Sequence, residues 1–286
     1  MNTTHDHPRL TLAEDGGHEV RGALTGDVIE ALAGLPAIER LSLRDGPRIT
    51  RSIARQWQAK LPPTRWLWLW CDVSRIAMRH VLAIPGLETL DVLRLCAPGK
   101  LSGFEHAVSL RTLRANCRLR PEDLLAIARC TSLRELGLQS AALDKSSLDA
   151  LLSLPDLRAL DLEGTAFTDS MARRASRSTT LESLDLGATR ITRSGLESLV
   201  RMPTLKRLDL WATDLSIDDL ALLKEAPALE YVSVGDCMHQ PITDGDRLVE
   251  ILLSMPALKS AWLDGVALSL EQERVLKSGI PQLRVS

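Results

Sequence analysis

Apolar residues recur along this chain in one arrangement: an aliphatic, two mostly polar residues, a second aliphatic, one polar residue and a third aliphatic. The arrangement is cleanest in LPDLRALDLEGTAFTD from Leu154, TTLESLDLGATRITR from Thr179 and MPTLKRLDLWATDLSI from Met202. Further copies start at Pro36, Pro85, Val108, Thr131, Pro227 and Pro256, and RWLWLWC from Arg65 supplies another. The middle aliphatic falls at Leu41, Leu67, Leu90, Leu113, Leu136, Leu160, Leu184, Leu208, Val232 and Ala261, at intervals of 26, 23, 23, 23, 24, 24, 24, 24 and 29 residues. Alternation with a period of two predicts a short β-strand with one buried face in each copy. Between the strands, PEDLLAIAR (Pro121 to Arg129), SGLESLVR (Ser194 to Arg201) and IDDLALLKE (Ile217 to Glu225) carry aliphatics at helical spacing. Pro36, Pro85, Pro155, Pro203, Pro227 and Pro256 each stand two residues before a first core aliphatic, where proline stops a helix and favours extended entry into the strand.

A strand–helix unit repeated every 23–24 residues resembles the leucine-rich repeat superfamily, in its bacterial-type form. That resemblance implies an α/β fold: a curved, horseshoe-shaped solenoid with a parallel β-sheet on the concave face and short helices on the convex face. It implies one domain over 1–286, with residues 1–34 as an N-terminal cap and irregular first repeat, 35–260 as about nine repeats, and 261–286 as a C-terminal cap. A weak first copy is expected at Leu10 and a truncated last one at Leu283. Thr165, Thr189 and Thr213 stand where the family commonly has Asn or Cys, and are expected to form a hydroxyl ladder bonded to neighbouring turns.

The stretch RWLWLWC puts Leu67 and Leu69 on one face of a strand and Trp66, Trp68 and Trp70 on the other. Aligned with the cleanest repeats, the leucines take the core positions, because a one-residue slip would force three indoles into slots sized for aliphatics. The same register brings Trp211, Tyr231 and Trp262 to the concave face, together with Asp91, Asp161, Asp185 and Asp209. Arg40, Arg44, Arg114 and Arg207 dilute that acidity. Trp and Tyr are the side chains most enriched at protein–protein hot spots, so Trp66, Trp68, Trp70, Asp91, Arg114, Asp161, Asp185, Asp209, Trp211, Tyr231 and Trp262 form the candidate partner-binding set.

Charge and chemistry narrow the choice of function. The formal net charge of −2 opposes a general nucleic-acid binder, which needs a concentrated positive surface. No apolar run approaches the length that spans a bilayer, and the start MNTTHDHPRLTL has no basic-then-apolar leader pattern. Five cysteines without CxxC spacing read as reduced thiols, which makes the cytoplasm the expected compartment. No nucleophile-elbow, zincin or phosphate-loop motif occurs. Asp236, Cys237, His239, Asp244 and Asp246 crowd into the longest repeat, and read as a polar loop leading into the helix TDGDRLVEILL rather than as a zinc site. His5 and His7 are expected in a mobile terminal segment, where transition-metal binding would be weak and incidental, and MARRASR reads as a solvated helix face.

The expected function is a non-enzymatic scaffold, without cofactor or metal, that binds another protein, a basic one being favoured by the aspartate columns. By resemblance to the ribonuclease-inhibitor use of the same fold, it is expected to be an inhibitor or immunity protein. The alternative is an effector or adaptor that recruits a target to separate machinery.

Overall fold

Each repeat forms a strand around its middle aliphatic, which points inward, and the strand of the next repeat covers its exposed edge. The computed structural model describes residues 9–13, 16–96, 99–235 and 241–286. Their contacts divide the chain into two units: Met1–Leu138 with Ser153–Asp156, and Gln139–Leu152 with Leu157–Ser286.

The first unit contains β1 (Leu10–Leu12), β2 (His18–Arg21), α1 (Gly26–Ala33), β3 (Ile38–Arg44), α2 (Arg51–Lys60), β4 (Thr64–Ser74), α3 (Met78–Val81), β5 (Thr89–Cys96), β6 (Thr112–Ala115), α4 (Pro121–Ile127) and β7 (Glu135–Gly137). From β2 onward the strands pair in parallel, with Leu41 against Leu67, Leu67 against Leu90, Leu90 against Leu113 and Leu113 against Leu136. The second unit contains α5 (Lys145–Leu152), β8 (Ala159–Asp161), α6 (Asp169–Ala175), β9 (Ser183–Asp185), α7 (Arg193–Val200), β10 (Arg207–Asp209), α8 (Ile217–Leu220), β11 (Tyr231–Gly235), α9 (Gly245–Leu253), β12 (Ser260–Asp264), α10 (Leu270–Gly279) and β13 (Gln282–Val285). Here Leu160, Leu184, Leu208, Val232, Ala261 and Leu283 align in one parallel register. These residues are the middle aliphatics of the repeat, and all but Leu283 are buried.

Two sequence expectations need correction. Leu10 does not start a parallel repeat: β1 runs antiparallel to β2, with Leu10 opposite Val20, because the chain reverses through Gly16 at φ 80°. The first parallel strand is β2, where Val20 lies beside Leu43. Nor, among the described residues, do the threonine hydroxyls bond to neighbouring turns. Thr165, Thr189 and Thr213 each donate to the carbonyl three residues back in their own turn (Leu162, 2.7 Å; Leu186, 2.7 Å; Leu210, 2.6 Å). A side chain this short closes its own turn, and its burial there satisfies a carbonyl that water cannot reach.

A second periodicity lies in the backbone. The fourth residue after the middle aliphatic takes a left-handed conformation at Asp45, Ser140, Gly164, Ala188, Ala212 and Gly265, with φ between 51° and 64°. This kink ends the strand and turns the chain toward the helix side. In β4 no such kink occurs, and Leu67, Leu69, Cys71 and Val73 stay buried in alternation, so the strand runs on for 11 residues instead of three.

Only Gly164 and Gly265 hold that conformation without a Cβ penalty, which is about 1–2 kcal/mol for an L-residue. Ala188→Gly and Ala212→Gly are therefore expected each to raise unfolding stability by about 0.5 kcal/mol after the added chain entropy is subtracted. Gly164→Ala is expected to lower it by about 1 kcal/mol. Urea denaturation of the three variants measures both signs.

Candidate functional site

In the first unit the open face of the sheet is built by β3, β4 and β5. Leu67 and Leu69 are fully buried, while Trp66 and Trp68 are half-buried and Trp70 is 39% exposed, so the indoles stand on the face opposite the core. Trp66 and Trp68 stack with ring centroids 6.4 Å apart, and Trp70 meets Trp68 edge-on at 5.0 Å. Trp70 sits at a register shift between β4 and β5, where Leu69 pairs with Val92 but Asp72 already pairs with Arg94. Such a bulge re-aims the side chain it carries. The sixth tryptophan, Trp57, is on the buried side of α2 and belongs to the core.

Two arginines of β3, which the sequence suggested only as charge dilution, have a more specific place. The Arg40 guanidinium lies 5.5 Å from the Trp66 ring centre, and Arg44 lies 5.5 Å from Trp68 and 5.0 Å from Trp70. Cation–π attraction of this kind is worth about 0.5–1 kcal/mol at exposed sites. Arg44 is held in turn by Glu19, Nε to Oε2 at 3.3 Å. On the other side of the ladder, the Trp66 indole N–H donates to Asp91, and Arg114 bridges Asp91 (3.4 Å) and Glu135 (3.2 Å). Asp91 is only 8% exposed, so it fixes Trp66 and Arg114 rather than facing solvent itself. Between the rings and Asp91, Val92, Leu93, Arg114 and Asn116 lies a cleft of about 250 Å³.

In the second unit Asp161, Asp185 and Asp209 occupy the same position on adjacent strands, as their register pairs them. Each accepts a hydrogen bond from a backbone N–H two residues on: Glu163 (2.9 Å), Gly187 (2.9 Å) and Trp211 (2.8 Å). The aspartates thus close the turns that follow their strands, a role Asp performs through its short acceptor side chain. Tyr231 is half-buried, with the Arg207 guanidinium 3.9 Å from its ring centre. Trp211 donates to Asp264 at 3.0 Å, and Trp262, 37% exposed, donates to the Ser286 hydroxyl at 3.1 Å. Ser286 also donates to Asp264 at 2.6 Å.

The comparisons with known proteins agree with this architecture. No protein-family model matches the sequence, and no curated protein matches it significantly. Among solved structures, an internalin (InlF) from Listeria monocytogenes str. 4b F2365 superposes with a TM-score of 0.57 at 20% identity, over 94% of this chain and 82% of that one. TLR13, solved in complex with ssRNA13, superposes with a TM-score of 0.56 at 18% identity, over 97% of this chain and 43% of that one. Both are leucine-rich repeat proteins. This chain has the leucine-rich repeat fold.

Within that fold, the polar cluster of the longest repeat divides. Asp244 caps α9 by accepting from Arg247 N–H (2.9 Å), and Asp246 accepts from Gln272 (2.7 Å). Asp236, Cys237 and His239, like His5 and His7, lie outside the described residues. Among the described residues, no three His, Cys, Asp or Glu side chains converge as a metal site.

The leucine-rich repeat register also sets the electrostatics of the aspartate column. Burial pushes Asp185 up to about 7, against the pull of the Gly187 N–H and with reinforcement from Asp209, Asp161 and Glu163. Burial likewise raises Asp209 and Glu163. Asp264 goes the other way, held below the usual carboxylate range by hydrogen bonds from Ser286 and Trp211. A carboxyl raised in the folded state binds its proton more tightly there than in the unfolded chain, so its contribution to stability is greatest in acid. That contribution falls as pH rises from the ordinary value of 3.8 through about 7. Asp185→Asn keeps an acceptor for Gly187 and removes the charge. Its thermal midpoint is expected to exceed that of the wild type above neutrality and to match it near pH 4. Calorimetry at the two extremes measures the difference, and a constant offset at both would contradict it.

Proposed function

We propose that this chain is a non-enzymatic scaffold that binds a protein on the open face of its sheet, with Trp66, Trp68 and Trp70 as the anchor. The carrying observation is the arginine–tryptophan ladder. Large side chains on a sheet face lose rotamer freedom when a partner binds, and ordering each costs about 0.5–1.5 kcal/mol. Here the rings are already held by Arg40, Arg44 and Asp91, so much of that ordering precedes binding. Preorganised aromatic area beside a polar cleft is what a protein hot spot uses. Arg114 borders the cleft and offers it a charged rim.

The second-unit face supplies charge complementarity. Asp161, Asp185 and Asp209, flanked by Trp211, Tyr231 and Trp262, favour a partner with basic side chains, and disfavour nucleic acid. A basic toxin or enzyme is the partner class this supports, with the present chain as its inhibitor or immunity protein. Cys71, Cys96, Cys117 and Cys130 are free thiols, two of them buried, in keeping with a reducing cytoplasm.

Trp68→Ala with Trp70→Ala tests the anchor. With affinity capture followed by titration of the captured protein, the double variant is expected to lose at least about 30-fold in affinity per ring, equivalent to about 2 kcal/mol each. Its thermal midpoint is expected to stay close to that of the wild type, because neither indole is in the core. A large drop in the midpoint with affinity retained would assign the ladder to stability instead.

A further inference from the structure

The tryptophan ladder is not the only surface of the first unit with unspent interaction capacity. Residues 46–71 hold five cations, Arg48, Arg51, Arg55, Lys60 and Arg65, and no carboxylate. Arg65 is paired by Glu39 and Glu88, both at 2.8 Å. The other four are exposed, as is Arg79 at the start of α3, and none of the five makes an ion pair among the described residues. Elsewhere on the molecule long cations are commonly matched: Arg158 and Lys206 share Glu182, Arg174 meets Asp149, and Lys224 and Arg247 share Glu250.

The geometry gathers these charges. Arg51, Arg55 and Lys60 line one shallow depression along α2, and Arg79 and His80 line a second together with Gln58, His106 and one carboxylate, Glu105. His80 Nδ1 lies 2.8 Å from Gln58 Oε1, tying α3 to α2, and Arg79 Nε donates to His80 Nε2 at 3.1 Å. Partial burial lowers the His80 pKa, and the positive fields of Arg79, Arg51 and Arg55 lower it further, so three of the cations act on one point.

We propose that the α2–α3 face docks a carboxylate-rich segment of a protein partner. Four of the five unpaired cations are arginines, whose planar fork fits a carboxylate through two parallel hydrogen bonds. Arg51 and Arg55 are one helical turn apart, about 6 Å along the axis and on one face, while Lys60 is turned about 140° from Arg55 and reaches the same depression through its long side chain. An extended segment places alternate side chains on one side at about 6.7 Å, so acidic residues two positions apart meet Arg51 and Arg55 in step. Ser52, Gln56 and Gln58, all exposed on α2, can bond its backbone. A single-stranded nucleic acid would need exposed rings to stack on, and the one aromatic residue of α2, Trp57, is 2% exposed. A membrane surface would need an apolar face to insert, whereas the exposed residues of α2 are polar apart from Ala59.

The test uses the full chain and a fluorescent peptide of alternating glutamate and serine, with an all-serine peptide as control. Anisotropy is expected to show glutamate-dependent binding that weakens with added salt. Arg51→Glu/Arg55→Glu is expected to weaken it by about tenfold or more, without moving the thermal midpoint, because both side chains are solvent-exposed. Trp68→Ala/Trp70→Ala is expected to leave it unchanged. No binding of the glutamate peptide, or equal binding by the charge-reversed variant, would overturn the proposal. So would tighter binding of an oligonucleotide, single- or double-stranded, or of phosphatidylserine vesicles.

Discussion

The contact on which the rest of the molecule depends is that between one repeat's middle aliphatic and the next, Leu160 with Leu184 and Leu184 with Leu208 in the second unit, Leu67 with Leu90 and Leu90 with Leu113 in the first. A strand of three residues with one buried leucine gains about 1.5–3 kcal/mol from that side chain, less than the entropy of ordering the strand. It becomes stable only when both its edges are paired and its leucine is covered on two sides. Register is the means: because the strands align residue for residue, core positions fall on core positions and every intervening side chain is delivered to the opposite face. The indoles, the aspartates and Tyr231 stand on the face opposite the core as a consequence of the leucines being buried.

The two units use that exposed face differently, and strand length is the reason. β4 and β5 extend past the position where other strands kink, and β3 runs for seven residues up to its kink at Asp45, which allows three tryptophans on β4 and two arginines on β3 to interleave across neighbouring strands. In β8, β9 and β10 the left-handed residue cuts the strand short, and the aspartate beside the middle leucine is recruited to close the turn. Its carboxylate is then partly desolvated near its own kind, which is why the Asp185 proton is held so tightly. Aromatic packing and charge on this protein thus have distinct local origins within one repeating frame.

The fold and the facing of RWLWLWC were legible in the primary structure because both rest on periodicity, and a slip of one residue would have been sterically prohibitive. What periodicity does not carry is which atom a side chain bonds. The threonine hydroxyls were misassigned to neighbouring turns because i−3 closure and inter-turn bonding share the same spacing. Leu10 had the right residue type but lay before a chain reversal at Gly16 that an apolar pattern does not encode. Arg40 and Arg44 appeared as diluted charge, since stacking over a ring depends on cross-strand geometry. The carboxylate-free stretch 46–71 was visible as composition, yet its meaning required knowing that Arg51, Arg55 and Arg79 reach a common place.

The backbone bonds accepted by Asp161, Asp185 and Asp209 have a consequence for how such a surface can diversify. Copies of this repeat are free to drift at Ala159, Ser183 and Arg207, the positions just before the middle leucine, which hold no turn together and already differ from one strand to the next. The positions just after it are constrained, since replacing Asp there to suit a new partner also opens a turn. In these three repeats, then, one column is locked to the grammar of the chain and its neighbour remains available as vocabulary. New recognition is cheapest to evolve in that second column, under a negative potential that the fold itself perpetuates.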